Sequence, residues 1–313
     1  MQNTSFFCKK INGPVLVSLG ILFFVQLFTL SVRAQKEVDY VDYKQLLIDV
    51  EQNLNTEHKI RPLLKSSELR RQTLMQSDVR SMTSNFPKAG NKILTPAQVM
   101  HLRKEGVLMI CKYFSATNAK PAHLEIFATA TALSSDGLCV TNWHVMRDFL
   151  EPEVTLSASD SLTFVASSSG DIYPISKILN YSKEADAALF RVSVTKKPLS
   201  PIPLGSALDV GETVYTIGHP DGYAYYYSKG IVTRNTANNK VGFMGNRMEI
   251  SADYAKGSSG GPILDESGNM VAMVSSTHSI YAQDRPQVNL QMVIKTTIPV
   301  ASIKSLLEKS VNK

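Results

Sequence analysis

Cysteine and tryptophan are the scarcest residues of this 313-residue chain, which contains three cysteines and one tryptophan. No spacing of cysteine and histidine matches a metal site, so no bound metal is expected. No basic run is interleaved with aromatic residues, so no nucleic-acid partner is expected. With 43% hydrophobic and 19% charged residues, the chain has the composition of a globular protein with one or two sizeable cores.

The formal net charge of +6 is partly a property of the N-terminus. The first 34 residues contain Lys9, Lys10 and Arg33 and no acidic residue, which leaves 30 basic against 27 acidic residues, or +3. An uncharged, largely apolar stretch, 11–32, follows the two lysines and precedes small residues at the positions that signal peptidase recognises. We therefore expect residues 1–34 to be a signal peptide cleaved before Gln35.

An uncleaved membrane anchor is the alternative for the N-terminus, because about 20 apolar residues can span a bilayer. Residues 11–32 would then tether the protein to the membrane. In both cases the remainder of the chain is expected outside the cytoplasm, either periplasmic or secreted. Cys111 and Cys139 follow this segment, and they either pair as a disulfide in an oxidising compartment or remain buried free thiols.

Residues 35–105 are predicted to form a helical N-terminal region. Leu46, Val50 and Leu54 recur at four-residue spacing between polar residues, which indicates an amphipathic helix. The pair Thr95-Pro96 predicts the start of another helix that ends at Gly106. We interpret this region as an appendage packed on the main domain; a prosegment or a partner-binding arm is the alternative.

The pattern changes at residue 106 to short β-rich runs separated by turn residues, which predicts an all-β sandwich or barrel. Residues 196–201, which contain two prolines, mark a crossing between two halves, about 106–197 and about 198–298. Residues 299–310 are expected to form a C-terminal helix. The predicted strands include residues 107–114, 126–133, 138–142, 173–181, 187–194, 213–218, 230–234, 270–276 and 290–294.

The stretch KGSSGGP, residues 256–262, combines adjacent serines with three glycines. A serine hydroxyl is a weak nucleophile that needs a base to accept its proton and donors for the oxyanion of the transition state. Glycines beside a serine permit a tight turn whose backbone N–H groups converge. We therefore expect Ser259 to be a nucleophile, with the N–H groups of Gly257 and Ser259 forming the oxyanion hole. A flexible linker is the alternative.

Two further segments supply the partners that such a serine needs. His144 follows a predicted strand in TNWHV, and Asp186 precedes another in DAALF. Taken with GSSGGP, these segments resemble the three signature segments of trypsin-like serine peptidases, in the order His, Asp, Ser. The segment IGHPDG and the C-terminal strand and helix are similar to those of the bacterial HtrA-type branch.

This resemblance covers about residues 107–310 and implies two six-stranded β-barrels with the active site in the cleft between them. Because the chain ends 13 residues after Val300, we expect no PDZ domain. Trp143 stands where alanine is more common in the family, and we expect it to reshape the wall beside His144. Ser258 replaces an aspartate of the digestive and clotting branch, so that branch's zymogen switch is not expected.

Three residues are candidates for substrate binding. Asp253 lies six residues before Ser259, where the trypsin branch places its pocket-floor residue, and a carboxylate there would favour lysine or arginine substrates. Ser275 is expected to offer backbone contacts to an extended substrate. His278 could reach the pocket mouth and favour acidic side chains. Solvated loop positions are the alternatives for Asp253 and His278.

The sequence therefore predicts an exported serine endopeptidase that acts on proteins or peptides with no metal or cofactor, and a homo-oligomer is one assembly it could form. Two alternatives remain: a protease-fold binding protein or holdase, and a membrane-tethered structural or signalling component with little proteolysis. The sequence also leaves open whether the oxyanion loop rests in an inactive conformation.

Overall fold

The computed structural model describes residues 38, 40–60, 63–75, 84–151, 161–283 and 285–308. The predicted signal peptide or anchor, residues 1–34, lies outside these ranges. In the described ranges no helix is both long and apolar enough to cross a membrane. The described residues from Tyr43 onward belong to one compact unit.

The first of two closed barrels contains six antiparallel strands in the order β1-β2-β3-β6-β5-β4. Short apolar runs between turn residues form these strands, and most of their side chains face a buried core. The strands are β1 (Val107–Phe114), β2 (His123–Ala132), β3 (Leu138–Thr141), β4 (Leu162–Ala166), β5 (Ile172–Ser182) and β6 (Ala187–Val192).

The second barrel repeats this arrangement with the order β7-β8-β9-β12-β11-β10, and it too is closed. The predicted fold class of two six-stranded barrels is thereby confirmed. The strands are β7 (Thr213–Gly218), β8 (Tyr226–Thr236), β9 (Arg247–Ile250), β10 (Pro262–Leu264), β11 (Met270–Gln283) and β12 (Val288–Pro299).

Helices cover the barrels at both ends of the chain. Leu46, Val50 and Leu54 are buried in the same hydrophobic cluster as strands of both barrels, which fixes the first helix to the main body. The spacing of these residues places them on one helical face. The helices of the described residues are α1 (Tyr43–Ile60), α2 (Ser66–Leu74), α3 (Pro96–Arg103), α4 (Trp143–Leu150) and α5 (Val300–Glu308).

Cys111 and Cys139 are buried free thiols in the first barrel. Burial raises the pKa of the Cys111 thiol to about 12 and raises that of Cys139 still further. Because the thiolate is the reactive form, both side chains act as small apolar groups of the core.

Candidate active site

His144, Asp186 and Ser259 come together between the two barrels. Ser259 lies in the loop before β10, His144 in the first turn of α4, and Asp186 immediately before β6. His144 Nε2 is 3.1 Å from Ser259 Oγ, and His144 Nδ1 is 2.9 Å and 3.0 Å from the two carboxylate oxygens of Asp186. The first barrel therefore presents the histidine and the aspartate to a serine of the second barrel.

The surroundings of His144 determine which ring nitrogen carries the proton. An ionised carboxylate only accepts hydrogen bonds, so Nδ1 must donate to Asp186. In the neutral ring Nε2 is then an acceptor, and it faces the Ser259 hydroxyl. This is the tautomer that a general base needs, because its free nitrogen can take the serine proton.

Four donors converge on the Asp186 carboxylate. Besides His144 Nδ1, these are the His144 backbone N–H at 3.1 Å, Asn142 Nδ2 at 3.1 Å and Ser275 Oγ at 2.7 Å. Asp186 adopts a left-handed backbone conformation with φ 55°, which aspartate tolerates better than most residues. These contacts hold the carboxylate in one orientation toward the imidazole.

The roles of two side chains in this network are not predicted by the sequence analysis. Asn142 occupies the N-cap position of α4, yet its side chain makes no capping hydrogen bond and donates to Asp186 instead. The Ser275 hydroxyl supports Asp186, whereas the sequence predicts only backbone contacts for this residue. The position of Asn142 two residues before His144 is a sequence signal that could have indicated its role. The contact between Ser275 and Asp186 joins the two barrels, and no local sequence pattern indicates it.

The candidate oxyanion hole is set by the peptide between Lys256 and Gly257. The Asp221 N–H donates to the Lys256 carbonyl at 2.6 Å. The C=O and N–H of a trans peptide point in opposite directions, so the Gly257 N–H is directed away from Asp221. In the part of the chain that the structure describes, the N–H groups of Gly257 and Ser259 donate to no protein acceptor. Both predicted donors are therefore available to a developing oxyanion.

The loop formed by IGHPDG, residues 217–222, packs against the Lys256–Gly257 peptide. Gly257 has φ +95°, and a Cβ there would lie 2.4 Å from the His219 carbonyl oxygen. His219 is fully buried, and burial lowers the pKa of His219 to about 3. Its neutral ring accepts a hydrogen bond from the Tyr225 N–H at 3.0 Å. The motif thus packs against the loop that carries the candidate oxyanion donors.

Two threonines of the first barrel donate hydrogen bonds to the loop that carries Ser259. The Thr129 N–H donates to the Ser259 carbonyl at 2.9 Å, and Thr129 Oγ1 donates to the Gly257 carbonyl at 2.8 Å. Thr131 Oγ1 donates to the Gly260 carbonyl at 3.0 Å. Because these donors belong to β2, their hydrogen bonds connect the first barrel to the loop that carries Ser259.

We expect Gly257→Ala to lower kcat by a factor of about 10² to 10³, the usual effect of losing one oxyanion donor. The added Cβ cannot coexist with the His219 carbonyl, so the Lys256–Gly257 peptide must rotate and its N–H must move. Steady-state kinetics on a peptide substrate measure the effect. Gly211→Ala is the matched control, because Gly211 has φ +98° with open space around its Cβ position. That variant should lose stability but keep kcat, and equal losses of kcat in both would contradict the assignment.

Two of the predicted specificity residues, Asp253 and His278, are exposed in the structure. The side chain of Asp253 is 76% exposed and forms an ion pair with Lys295 at 2.8 Å, which is not the enclosed position that a pocket-floor carboxylate needs. The buried side chain of this loop is Tyr254, whose single hydroxyl proton is shared between the carbonyls of Ser276 and Thr296. This placement favours the solvated alternative for Asp253. His278 is an exposed residue of β11, three positions beyond Ser275.

Trp143 and Ser258, the two residues that depart from the family pattern, have different surroundings. Trp143 is half-buried against the core of the first barrel, and Lys183 Nζ lies 4.8 Å from the centre of its ring. Ser258 is buried, and its hydroxyl has no hydrogen-bond partner among the described residues. The described ranges also hold no cluster of three His, Cys, Asp or Glu residues arranged for a metal ion.

Comparison with known proteins gives a consistent result. A family model described as a trypsin-like peptidase domain matches residues 128–273. The chain is 32% identical over 149 residues to Protease Do-like 1, chloroplastic, of Arabidopsis thaliana, an alignment that covers 46% of this chain and 31% of that protein. It is 27% identical over 185 residues to the probable periplasmic serine endoprotease DegP-like of Bartonella henselae, with coverage of 58% and 34%.

A solved structure of the HtrA-type protease AlgW with a decapeptide shares the fold, with a TM-score of 0.53, 18% identity, and coverage of 70% of this chain and 68% of that chain. The chain spans about a third of the length of the two curated relatives. The residues matched by the family model include His144, Asp186 and Ser259. Residues 128–273 therefore match a trypsin-like peptidase domain, and the chain is similar to proteases of the Do-like and DegP-like kind.

Proposed function

We propose that this protein is an exported serine endopeptidase that hydrolyses peptide bonds in proteins through an acyl-enzyme intermediate. The observation that carries the proposal is the aligned series Ser259 Oγ, His144 Nε2, His144 Nδ1 and the Asp186 carboxylate, with contacts of 2.9 to 3.1 Å. Two unoccupied N–H donors lie in the same loop as the serine. A nucleophile, a base, an orienting carboxylate and an oxyanion hole are all that acyl transfer requires.

In the first half-reaction Ser259 Oγ attacks the carbonyl carbon of the scissile peptide while its proton passes to His144 Nε2. The carbonyl oxygen becomes an oxyanion that accepts hydrogen bonds from the Gly257 and Ser259 N–H groups, and Asp186 stabilises the imidazolium. The C–N bond then breaks as His144 donates the proton to the leaving amine. An ester between Ser259 and the acyl part of the substrate remains.

In the second half-reaction water attacks this ester. His144 takes a proton from the water, the oxyanion again forms in the same hole, and the C–O bond to Ser259 breaks as the serine regains its proton. All proton transfers pass through His144 Nε2. The products are a carboxylic acid and the amine released earlier.

The substrate is proposed to bind as an extended strand on β11. Beyond Met273 this strand pairs with β12, while its partner on the other side, β10, begins only at Pro262, which lies opposite Met273. Among the described strands, the edge from Ser275 onward is therefore open beside Ser259, which favours strand addition by a peptide. The Ser275 carbonyl is 3.4 Å from Ser259 Oγ, so this edge leads directly to the nucleophile.

A fluorophosphonate tests this proposal against the binding-protein and signalling alternatives. The purified protein should be labelled on Ser259 and not on Ser258, as located by peptide mass spectrometry, and His144→Ala should slow the labelling strongly because the base is lost. A protein that binds unfolded substrates without being labelled would instead be a holdase. Labelling at any other residue would contradict the assignment.

The export proposal rests on the N-terminal sequence pattern and on similarity to a probable periplasmic endoprotease. Mass spectrometry of the protein purified from its own cells would show whether it begins at Gln35 or retains the apolar segment 11–32. Cleavage of the N-terminal segment, and with it a free rather than a tethered enzyme, stays a prediction. A homo-oligomeric assembly also stays a prediction.

A further inference from the structure

A cleft of about 360 Å³ opens beside the candidate oxyanion hole. It is lined by Leu47 of α1, residues 124–127 of β2, the loop residues Asp221-Gly222, and Lys256-Gly257. Gly257 joins the cleft to the active site, because its N–H is one of the two oxyanion donors. Leu47 comes from a helix outside residues 128–273, the part of the chain that matches the peptidase family model.

The cleft is expected to face the residues that follow the scissile bond. The acyl part of an extended substrate is expected along β11, which approaches the nucleophile at Ser275. No residue of β11 lines the cleft. A substrate chain that crosses Ser259 and continues away from β11 therefore runs past Lys256-Gly257 toward β2. The residues that follow the scissile bond would meet the cleft there.

Four of the nine residues that line the cleft have apolar side chains, and all four lie on α1 and β2. Side chains of Leu, Ile and Phe come from both α1 and β2, and the charged residues Glu125, Asp221 and Lys256 carry both signs and together leave a charge of only −1. An apolar side chain that packs against the α1 and β2 side of the cleft would remove apolar surface from water there. The apolar contributors are Leu47, Leu124, Ile126 and Phe127.

Leu47 is held in place by the packing of its helix. Its neighbours Leu46 and Val50 are buried in the hydrophobic core, and Leu47 itself is half-buried against that core. Further along the helix, Asn53 Nδ2 donates to the Gly170 carbonyl of the first barrel at 2.9 Å. A side chain on an anchored helix forms a wall that exists before substrate binds.

We propose that Leu47 and β2 form a subsite for an apolar residue at the first or second position after the scissile bond. The N-terminal helical region then takes part in substrate selection. At this position of the substrate, small or acidic residues bind more weakly than leucine. This inference rests on the proposed peptidase function and adds a determinant from outside the peptidase domain.

Paired peptides test the subsite. Two peptides share one acyl part and carry either leucine or serine at the first two positions after the scissile bond. The wild-type enzyme should cleave the leucine peptide with about tenfold higher kcat/KM, the usual scale for one apolar side chain in a pocket. Leu47→Asp should abolish this preference, and Leu47→Ala should reduce it about threefold. Ile48→Asp is the matched control, since Ile48 is exposed on the same helix and does not line the cleft.

A peptidyl aminocoumarin, which has no amino acid after the scissile bond, separates this inference from the peptidase function. Wild type and Ile48→Asp should cleave it at rates within about twofold of each other, since neither alters the acyl side. If Leu47→Asp loses this activity by misfolding, Leu47→Ala decides the question. No leucine preference in wild type, or an unchanged preference in Leu47→Ala, overturns the subsite. Failure of every protein to cleave the aminocoumarin would overturn the peptidase function instead.

Discussion

Replacing Ser259 by alanine is expected to lower kcat for a peptide substrate by about 10⁶, because loss of the nucleophile removes all acceleration that depends on the triad. His144→Ala should cause a loss of similar size. The two changes should not add in the double variant, since serine and histidine act as one unit in the same proton transfer. Measurement requires single-turnover kinetics with excess enzyme and a sensitive fluorogenic peptide.

Ser258→Ala is the matched control for this prediction. Ser258 is the neighbouring serine in the same loop, its side chain is buried, and its hydroxyl has no hydrogen-bond partner among the described residues. Removing that hydroxyl should leave kcat nearly unchanged and, if anything, stabilise the fold. Activity in Ser259→Ala above about 1% of wild type, or a large loss in Ser258→Ala, would show that the wrong serine has been assigned.

Where residues adjacent in sequence determine a feature, the sequence predicts it well. The bounds of β1 and β7 match the predicted runs 107–114 and 213–218, because polar or turn residues flank each apolar run. The short strands β4, β9 and β10 were not predicted. They have only three to five residues, and their pairing with longer neighbours, not their own pattern, makes them strands.

Helix α4 was also missed, although its pattern is present. Val145, Met146, Phe149 and Leu150 are buried on one face of this helix. Because the segment directly follows a β-strand, the sequence pattern places His144 only after the end of that strand. This matters for the site, because the first turn of α4 orients His144. The chain order of the three signature segments identified the histidine without that helix.

Features that depend on contacts between distant segments could not be predicted. The orientation of the Lys256–Gly257 peptide depends on a hydrogen bond from Asp221, 35 residues earlier in the chain. The direction of the Asp253 side chain depends on Lys295 of β12 and on the burial of Tyr254 next to it. Counting residues back from the nucleophile cannot detect either effect, because loop geometry decides which side chain faces inward.

Asp186→Asn is expected to lower kcat by about 10⁴ while the fold stays intact. The carboxylate now accepts from four donors, the side chains of His144, Asn142 and Ser275 and the His144 backbone N–H. Asparagine retains one acceptor oxygen and brings an NH₂ group. When that group faces His144 Nδ1, the ring must carry its proton on Nε2, and Nε2 can no longer take the proton of Ser259.

Ser275→Ala provides a graded comparison for the role of Asp186. It removes one of the four donors and leaves the charge and the histidine tautomer unchanged, so a loss of about tenfold is expected from one missing hydrogen bond. Circular dichroism should show that both variants fold, and slow fluorophosphonate labelling of Ser259 should persist in both. A loss in Asp186→Asn no larger than that in Ser275→Ala would mean that Asp186 only packs against the histidine. A loss several hundredfold larger than that in Ser275→Ala would show that Asp186 sets the tautomer through which every proton of the reaction passes.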